Sequence, residues 1–456
     1  MRPTRWRRST HLVIGVAVLV LVAALVAAAA VMTRHDAVPA AGATVKPQPA
    51  LVSPRPAVQP VSDAAPQVVP AQLAAVLAPL AANPNLGMLG GRITDAITGT
   101  ELWAQGANIP LQPASTNKTL TAAAALLTLD RNARLTTTVV SGDSPGVVVL
   151  KGGGDPTLSA APPGTDTWYG DAARISDLAD QVRKAGVTPR AIQVDTSLYS
   201  GPTMAPGWDV ADIEGGDWAP IQSVMVDAGR VQPTTVESKR STTPALDAGR
   251  ALAAALRVDP ANVTLRTTPA GGQQLAAVQS PPLIERLREM MGASDNVMAE
   301  SIGREVAAAV NQPQSFDGGV RAVLGQLAKA GLTTSGATLF DASGLSVNDR
   351  LTAAVLDDVV NAAAGTSEPR LRPLLDVLPI AGGSGTLWNR YADTSSAGYL
   401  RAKTGSLTGT NALAGIVTDQ SGRVLTFALI SNNAGPEGRT ALDALAAAFR
   451  SCGCGT

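Results

Sequence analysis

Residues 113–118 read Pro113-Ala114-Ser115-Thr116-Asn117-Lys118 and run into an apolar stretch, Thr119 to Leu129. Three residues is close to one helical turn, so the Ser115 hydroxyl and the Lys118 amine share a face. Leu120, Ala123, Leu126 and Leu127 predict a helix whose first turn is buried, which takes Lys118 out of water. Desolvation lowers the pKa of an amine toward that of a working base. Such a lysine can take the Ser115 proton and turn an inert alcohol into a nucleophile. The helix start also aims the Ser115 N–H at a developing oxyanion. Taken alone, Ser-x-x-Lys is a weak signal, compatible with a helix start and a solvated lysine. Here it occurs once in a chain with only seven lysines.

Two more clusters follow in order. Ser294-Asp295-Asn296 joins two helical patterns, Leu283 to Met291 and Val297 to Val310, and such a junction can push a hydroxyl and an amide into a cleft. Ser-x-Asn also begins at Ser115, Ser346 and Ser431, and Ser346 is the alternative choice. In this reading Ser294 relays a proton to the leaving group, while Asn296 holds Lys118 and the substrate backbone. Lys403-Thr404-Gly405 comes after Gly398-Tyr399-Leu400-Arg401, where an edge strand is expected. A glycine there lets a substrate backbone approach closely. Lys403 and Thr404 can bind a carboxylate, and the Ser406 N–H supplies a second oxyanion donor.

The inventory removes competing chemistries. The only histidines, His11 and His35, flank an N-terminal apolar run, so no Ser-His-Asp triad and no His-ligated zinc can be built in the body. No metal or other cofactor is expected. Cys452 and Cys454 stand in the last five residues, too close for a relaxed disulfide. They are expected to be structurally idle, with an intermolecular bond as the alternative. Thirty-six basic residues balance 36 acidic ones and aromatics make up 3%, which leaves a nucleic-acid surface without basis.

Arg2, Arg5, Arg7 and Arg8 precede an uncharged stretch, Leu12 to Met32. At ~1.5 Å per residue it reaches roughly one hydrocarbon core, longer than the apolar part of an ordinary leader. The expectation is a basic cytoplasmic segment (1–11), then an uncleaved single-pass signal anchor (12–32). A leader cut after the alanines 27–30 is the alternative. The arginines place the rest outside the membrane, on the periplasmic or wall side. Residues 33–70 carry eight prolines from Pro39 to Pro70 and read as a semi-extended linker.

The remainder predicts a mixed α/β (α+β) fold. A helix starts near Ala71, strands Gly91 to Asp95 and Glu101 to Ala104 flank a turn at Thr98-Gly99, and Ala412 to Thr418 and Val424 to Ser431 form a second hairpin before a helix from Gly438 to Arg450. Strands from both ends then bracket a helical middle. Strand-like pieces at Thr137–Val140, Gly146–Leu150 and Ala191–Val194 predict an inserted α/β domain over 136–278, dividing the catalytic part into 71–135 and 279–456.

The three boxes, in this order, are those of the penicillin-recognising serine acyl-transferases. With Gly153-Gly154-Asp155-Pro156-Thr157-Leu158, Ala205-Pro206-Gly207-Trp208, Asp341-Ala342-Ser343-Gly344-Leu345-Ser346 and Gly383-Ser384-Gly385-Thr386-Leu387, the chain resembles a class C (type-4) low-molecular-mass penicillin-binding protein from about Gly90 to Phe449. This is the D-alanyl-D-alanine carboxypeptidase/endopeptidase family, and the long insertion between the first two boxes marks the class. The resemblance implies a transpeptidase-like domain that cleaves D-Ala-D-Ala, or the D-Ala-diaminopimelate cross-link, of peptidoglycan stem peptides through a serine ester, with β-lactam antibiotics as covalent inhibitors. It implies that Asp212 binds the free amine of diaminopimelate and that Ser343 and Leu345 wall the pocket for that side chain. Val347 stands where relatives often carry arginine, and the stretch from Asp212 to Ser294 is short for the class. A β-lactamase is disfavoured because no Glu-x-x-x-Asn follows Asn296. A wall-binding scaffold without turnover is the remaining alternative.

Overall fold

Side chains that alternate between two apolar clusters organise the first sheet. Along residues 424–432, Leu425, Phe427 and Leu429 pack into one apolar cluster and Ala428 and Ile430 into another, so both faces of this strand are covered. The structure, a computed structural model, describes residues 64–451. Helix α1 (Pro70–Ala81) leads to strands β1 (Met88–Asp95) and β2 (Glu101–Gln105) and to helix α2 (Lys118–Thr128). Next come β3 (Thr136–Ser141), β4 (Val147–Lys151), α3 (Ile175–Lys184), β5 (Ala191–Asp195), the short α4 (Ala211–Gly215), α5 (Pro244–Leu256), β6 (Val263–Arg266) and β7 (Gln274–Gln279). Helices α6 (Leu283–Gly292), α7 (Asn296–Ala309), α8 (Phe316–Lys329) and α9 (Ala353–Ala364) precede β8 (Leu400–Leu407), β9 (Thr410–Thr418), β10 (Val424–Asn432) and α10 (Gly438–Ser451).

The first sheet has the order β2-β1-β10-β9-β8 and is antiparallel throughout. Strands from the two ends of the chain meet where Met88 pairs with Asn432 and Asp95 with Leu425. Helices α1 and α10 cover one face. The helical core, with α2 and α6 to α9, covers the other. Helix α2 is buried from Lys118 through Leu127, and its alanines leave room for neighbours on every side. Strand β8 closes the sheet as an edge, and its alternation turns Lys403 and Gly405 toward the helical core while Leu400 and Ala402 face α10.

The second sheet has the order β6-β5-β4-β3-β7, with β4, β5 and β6 parallel. Helices α3 and α5 make the crossovers and bury Leu178, Val182 and Leu252 against Val148, Ile192 and Val194. The stretch between β3 and β7 does not stay with this sheet throughout. Tyr169, Trp208, Ile213, Trp218 and Ile221 are buried in the helical core instead. Trp208 is anchored there by an edge-on contact with Phe316 at 5.3 Å and a tilted one with Trp218 at 4.8 Å.

Of two N-terminal expectations, one falls outside the described residues and the other meets the structure in part. The segment expected to span a membrane, 12–32, lies outside the described residues, as do Cys452 and Cys454. Among the described residues no helix is long and apolar enough to cross a membrane. The expected linker ran to Pro70, but its last residues are docked. Val68 is buried, and the Ala65 carbonyl accepts from Arg423, whose guanidinium is ion-paired with Asp95 inside the fold.

Candidate active site

Ser115 lies in a tight 3₁₀ turn, Ala114–Asn117, that feeds α2. Ala114 takes φ 48°, a left-handed conformation costly for a side-chain-bearing residue and tolerated where the surroundings impose it. Two glycines allow the neighbours to close on this turn. A Cβ on Gly405 would stand 2.7 Å from the Pro113 carbonyl oxygen, and one on Gly344 would stand 1.9 Å from that of Ala114. The expected purpose of Gly405, room for a substrate backbone, is therefore joined by another. It lets β8 pack against the serine turn.

Lys118 is fully buried, and its Nζ lies 3.0 Å from Ser115 Oγ. The same ammonium donates to Asn296 Oδ1 at 2.6 Å and to the Ser343 carbonyl at 2.8 Å. Burial lowers its pKa to about 8, against the opposing pull of Asp341, Asp295, Glu300 and Asp217. Such a lysine keeps a substantial neutral fraction near neutral pH, which an exposed one does not.

The second box sits at the α6–α7 junction. Ser294 takes φ 59°, and Asp295 caps α7 by accepting from Met298 N at 3.0 Å. Burial would raise the Asp295 carboxyl, but the Arg240 charge, the Tyr169 hydroxyl at 2.6 Å and the Met298 N–H hold it below the usual carboxylate range. Asn296 uses both ends of its amide: Oδ1 on Lys118, and Nδ2 on the Asp217 carbonyl at 2.9 Å. From the third box, Lys403 Nζ donates to Ser294 Oγ at 2.9 Å. Burial pushes Lys403 well below the ordinary lysine range, helped by the charges of Lys118 and Arg390. Thr404 Oγ1 is 2.9 Å from Thr386 Oγ1.

These groups open on one cleft of about 970 Å³, walled by Ser115, Ser294, Asn296, Thr404 and Ser406. Asp212 and Leu345 line it, together with Asp209 and Asp217. Burial and the neighbouring carboxylates raise the Asp212 pKa, which marks a site that gains from a cationic ligand. Ser343 departs from its expected place. Its side chain is buried, and it meets the site through the carbonyl that holds Lys118. That carbonyl is fixed by Asp341, whose carboxylate accepts from the N–H groups of Ser343 (3.0 Å), Gly344 (2.5 Å) and Ser346 (2.7 Å) and from Trp208 Nε1 (2.7 Å). Among the described residues no cluster of His, Cys, Asp and Glu could hold a metal ion.

A family model described as the D-Ala-D-Ala carboxypeptidase 3 (S13) family matches residues 73–242 and 235–449. The chain belongs to this family. As a member it is a serine-type D-alanyl-D-alanine carboxypeptidase. A second model, described as Carboxypeptidase Rv3627c-like, N-terminal domain, matches residues 1–60. The chain is similar to carboxypeptidase DacB of Mycolicibacterium smegmatis, with 68% identity across the whole of both chains. It is also similar to a D-alanyl-D-alanine carboxypeptidase of an Actinomadura species, with 30% identity over 78% of this chain and 79% of that one. In fold it is similar to penicillin-binding protein 4 of Haemophilus influenzae, with a TM-score of 0.69 at 22% identity over 83% of this chain and 98% of that one. The same H. influenzae protein in complex with a β-lactam gives a TM-score of 0.63 at 22% identity, over 82% and 99% of the two chains.

Sequence reading missed several of the family member's supporting groups. Thr386 stands inside Gly383–Leu387, a segment noted for its likeness without a role for any residue. Asp341 likewise stands in a motif whose likeness gives it no role. The Asp217 carbonyl had no sequence signal, because backbone acceptors carry none.

Proposed function

We propose that Ser115 is the acylated nucleophile and Lys118 its general base in hydrolysis of D-alanyl peptide bonds of peptidoglycan stem peptides. The observation that carries this is the 3.0 Å contact between a wholly buried lysine and the serine hydroxyl at the floor of the cleft. Ser115 Oγ attacks the penultimate D-alanine carbonyl as its proton passes to neutral Lys118. The carbonyl oxygen gathers charge between the N–H groups of Ser115 and Ser406. The C–N bond then breaks, the departing amine is protonated through Ser294, and water hydrolyses the ester. Lys403 and Thr404 hold the terminal carboxylate. Asp212 holds the amine of diaminopimelate, which its crowded acidic surroundings support, with Leu345 walling that side chain. The likeness in fold to a protein described with a bound β-lactam supports the penicillin-sensitive reading. Residues 12–32 are proposed as the membrane anchor that holds the catalytic body outside the cytoplasm.

A fluorescent penicillin tests the nucleophile. The native protein is expected to retain the label through denaturing electrophoresis and Ser115→Ala to lose it. A labelled Ser115→Ala protein would remove Ser115 from the mechanism.

A further inference from the structure

Asn296 opens α7, and one turn on, on the same face, stands Glu300. It is buried, and both carboxylate oxygens are engaged. Oε2 pairs with Arg304, a further turn along the helix, at 3.2 Å. An ion pair within α7 needs only that contact. Oε1 instead reaches out of the helix to a loop 42 positions along the chain, where it accepts from the Ala342 N–H at 2.9 Å. The Ser343 hydroxyl donates to the same carboxylate. Ser343 is therefore held at its side chain by Glu300 while its carbonyl accepts from Lys118 at 2.8 Å. The serine turn and α2 fasten the same loop from the other side. Asn117 Nδ2 donates to the Asp341 carbonyl at 3.1 Å and Thr121 Oγ1 to that of Ala342 at 2.6 Å, and Glu300 takes the N–H between them. One face of α7 thus supports Lys118 twice, through Asn296 directly and through Glu300 by way of the loop.

The charges around these two groups are few. Asp341, Asp295, Glu300 and Asp217 pull on the Lys118 charge, and Lys403 on β8 is the cation that faces it. Around Glu300 stand Asp341 and Asp349 from the loop and Arg304 from its own helix. Burial and Asp341 raise Asp349 well above the usual carboxylate range. Burial raises Glu300 to about 7, with Asp341 adding to the rise and Arg304 opposing it. Glu300 is therefore charged near pH 8, where Lys118 gives up its proton.

We propose that Glu300 is a positioning residue for the base, holding the Ser343 carbonyl against Lys118 and keeping a carboxylate charge beneath the amine. It touches neither substrate nor the reacting atoms and acts through Lys118. The inference rests on the reading of Lys118 as general base.

The test follows acylation by a fluorescent penicillin from pH 5 to 10 in the native protein, Glu300→Gln and Glu300→Asp. Glutamine keeps an acceptor for the Ala342 N–H and removes the charge, so Lys118 loses its proton more readily. Its midpoint is expected about one pH unit below the native one, and its rate at pH 6, relative to its own plateau, about tenfold higher. Aspartate keeps the charge but draws it back from Ala342, so the midpoint should stay near native while the plateau falls. A Glu300→Gln profile with a lower plateau and the native midpoint is what a merely structural residue gives, and it overturns the proposal. If Glu300→Gln lacks cooperative thermal unfolding, Glu300→Asp decides, and a native plateau or a displaced midpoint there overturns the proposal. A flat native profile overturns Lys118 as base. A native bend near pH 8 with an unmoved Glu300→Gln midpoint overturns Glu300 alone, which separates the two failures.

Discussion

At the residue scale the site turns on one amine. Burial moves Lys118 from 10.5 to about 8, so the form that can accept a proton is lost as pH falls through that value. The acylation rate with penicillin is therefore expected to rise about tenfold per pH unit below 8 and to level off above it. Stopped-flow acylation between pH 5 and 10 checks this, and a flat profile across that range would release Lys118 from the role of base. The acidic wall gives a second expectation. Asp212 is raised by burial and by Asp217 and Asp209, so a cationic substrate group relieves repulsion there. Asp212→Ala should weaken cleavage of diaminopimelate peptides roughly tenfold while acylation by simple β-lactams changes far less. Equal losses on both would refute the side-chain assignment.

At the element scale the chemistry depends on how close β8 comes to the serine turn. Gly405→Val adds atoms where the Pro113 carbonyl already stands 2.7 Å from a Cβ, so the strand or the turn must move. Overpacking of this kind costs about 1–3 kcal/mol. Displacement of Lys403 and Thr404 from Ser115 should slow acylation at least tenfold, since about 1 Å of misplacement can cost two orders of magnitude. Gly325→Ala in α8, where an added Cβ meets nothing within 4 Å, is the matched control and should be neutral or stabilising. Thermal unfolding and labelling rates of the two variants decide the matter. The elements themselves were legible. The hairpins at residues 91–104 and 412–431 show as short strand-like runs on either side of a turn, and the helix from Gly438 as an alanine-rich helical run, and the structure has β1–β2, β9–β10 and α10 there. What the pattern could not convey is that a stretch lying between β3 and β7 abandons its own sheet. The residue types of Trp208 and Trp218 suit the core of either body, and only packing, Trp208 on Phe316 and Trp218 on Trp208, decides between them.

At the scale of the whole molecule, every cleft residue lies between Gln112 and Asp443, inside the compact unit that begins at Pro60. A protein lacking residues 1–59 is therefore expected to bind fluorescent penicillin at the native rate. If residues 12–32 are the tether, the full chain will sediment with membranes and the shortened one will stay in the supernatant. Loss of labelling on truncation would show that the N-terminal unit contributes to the catalytic body.

The amino-acid sequence by itself determined which groups are proposed to react, because a nucleophile, a base and a carboxylate-binding strand each require particular side chains at particular short spacings. It also determined the helices and hairpins, whose burial patterns are local. The tertiary structure alone decided that Ser343 serves Lys118 through its carbonyl, that Asp341 gathers four N–H donors beneath the site, and that Asp209, Asp212 and Asp217 line the cleft into which Ser115 opens. Three of the Asp341 bonds are local, but Trp208 reaches Asp341 across 133 positions and Lys118 reaches Ser343 across 225, and main-chain acceptors are identical in every residue. No local pattern can encode which of them will be brought together.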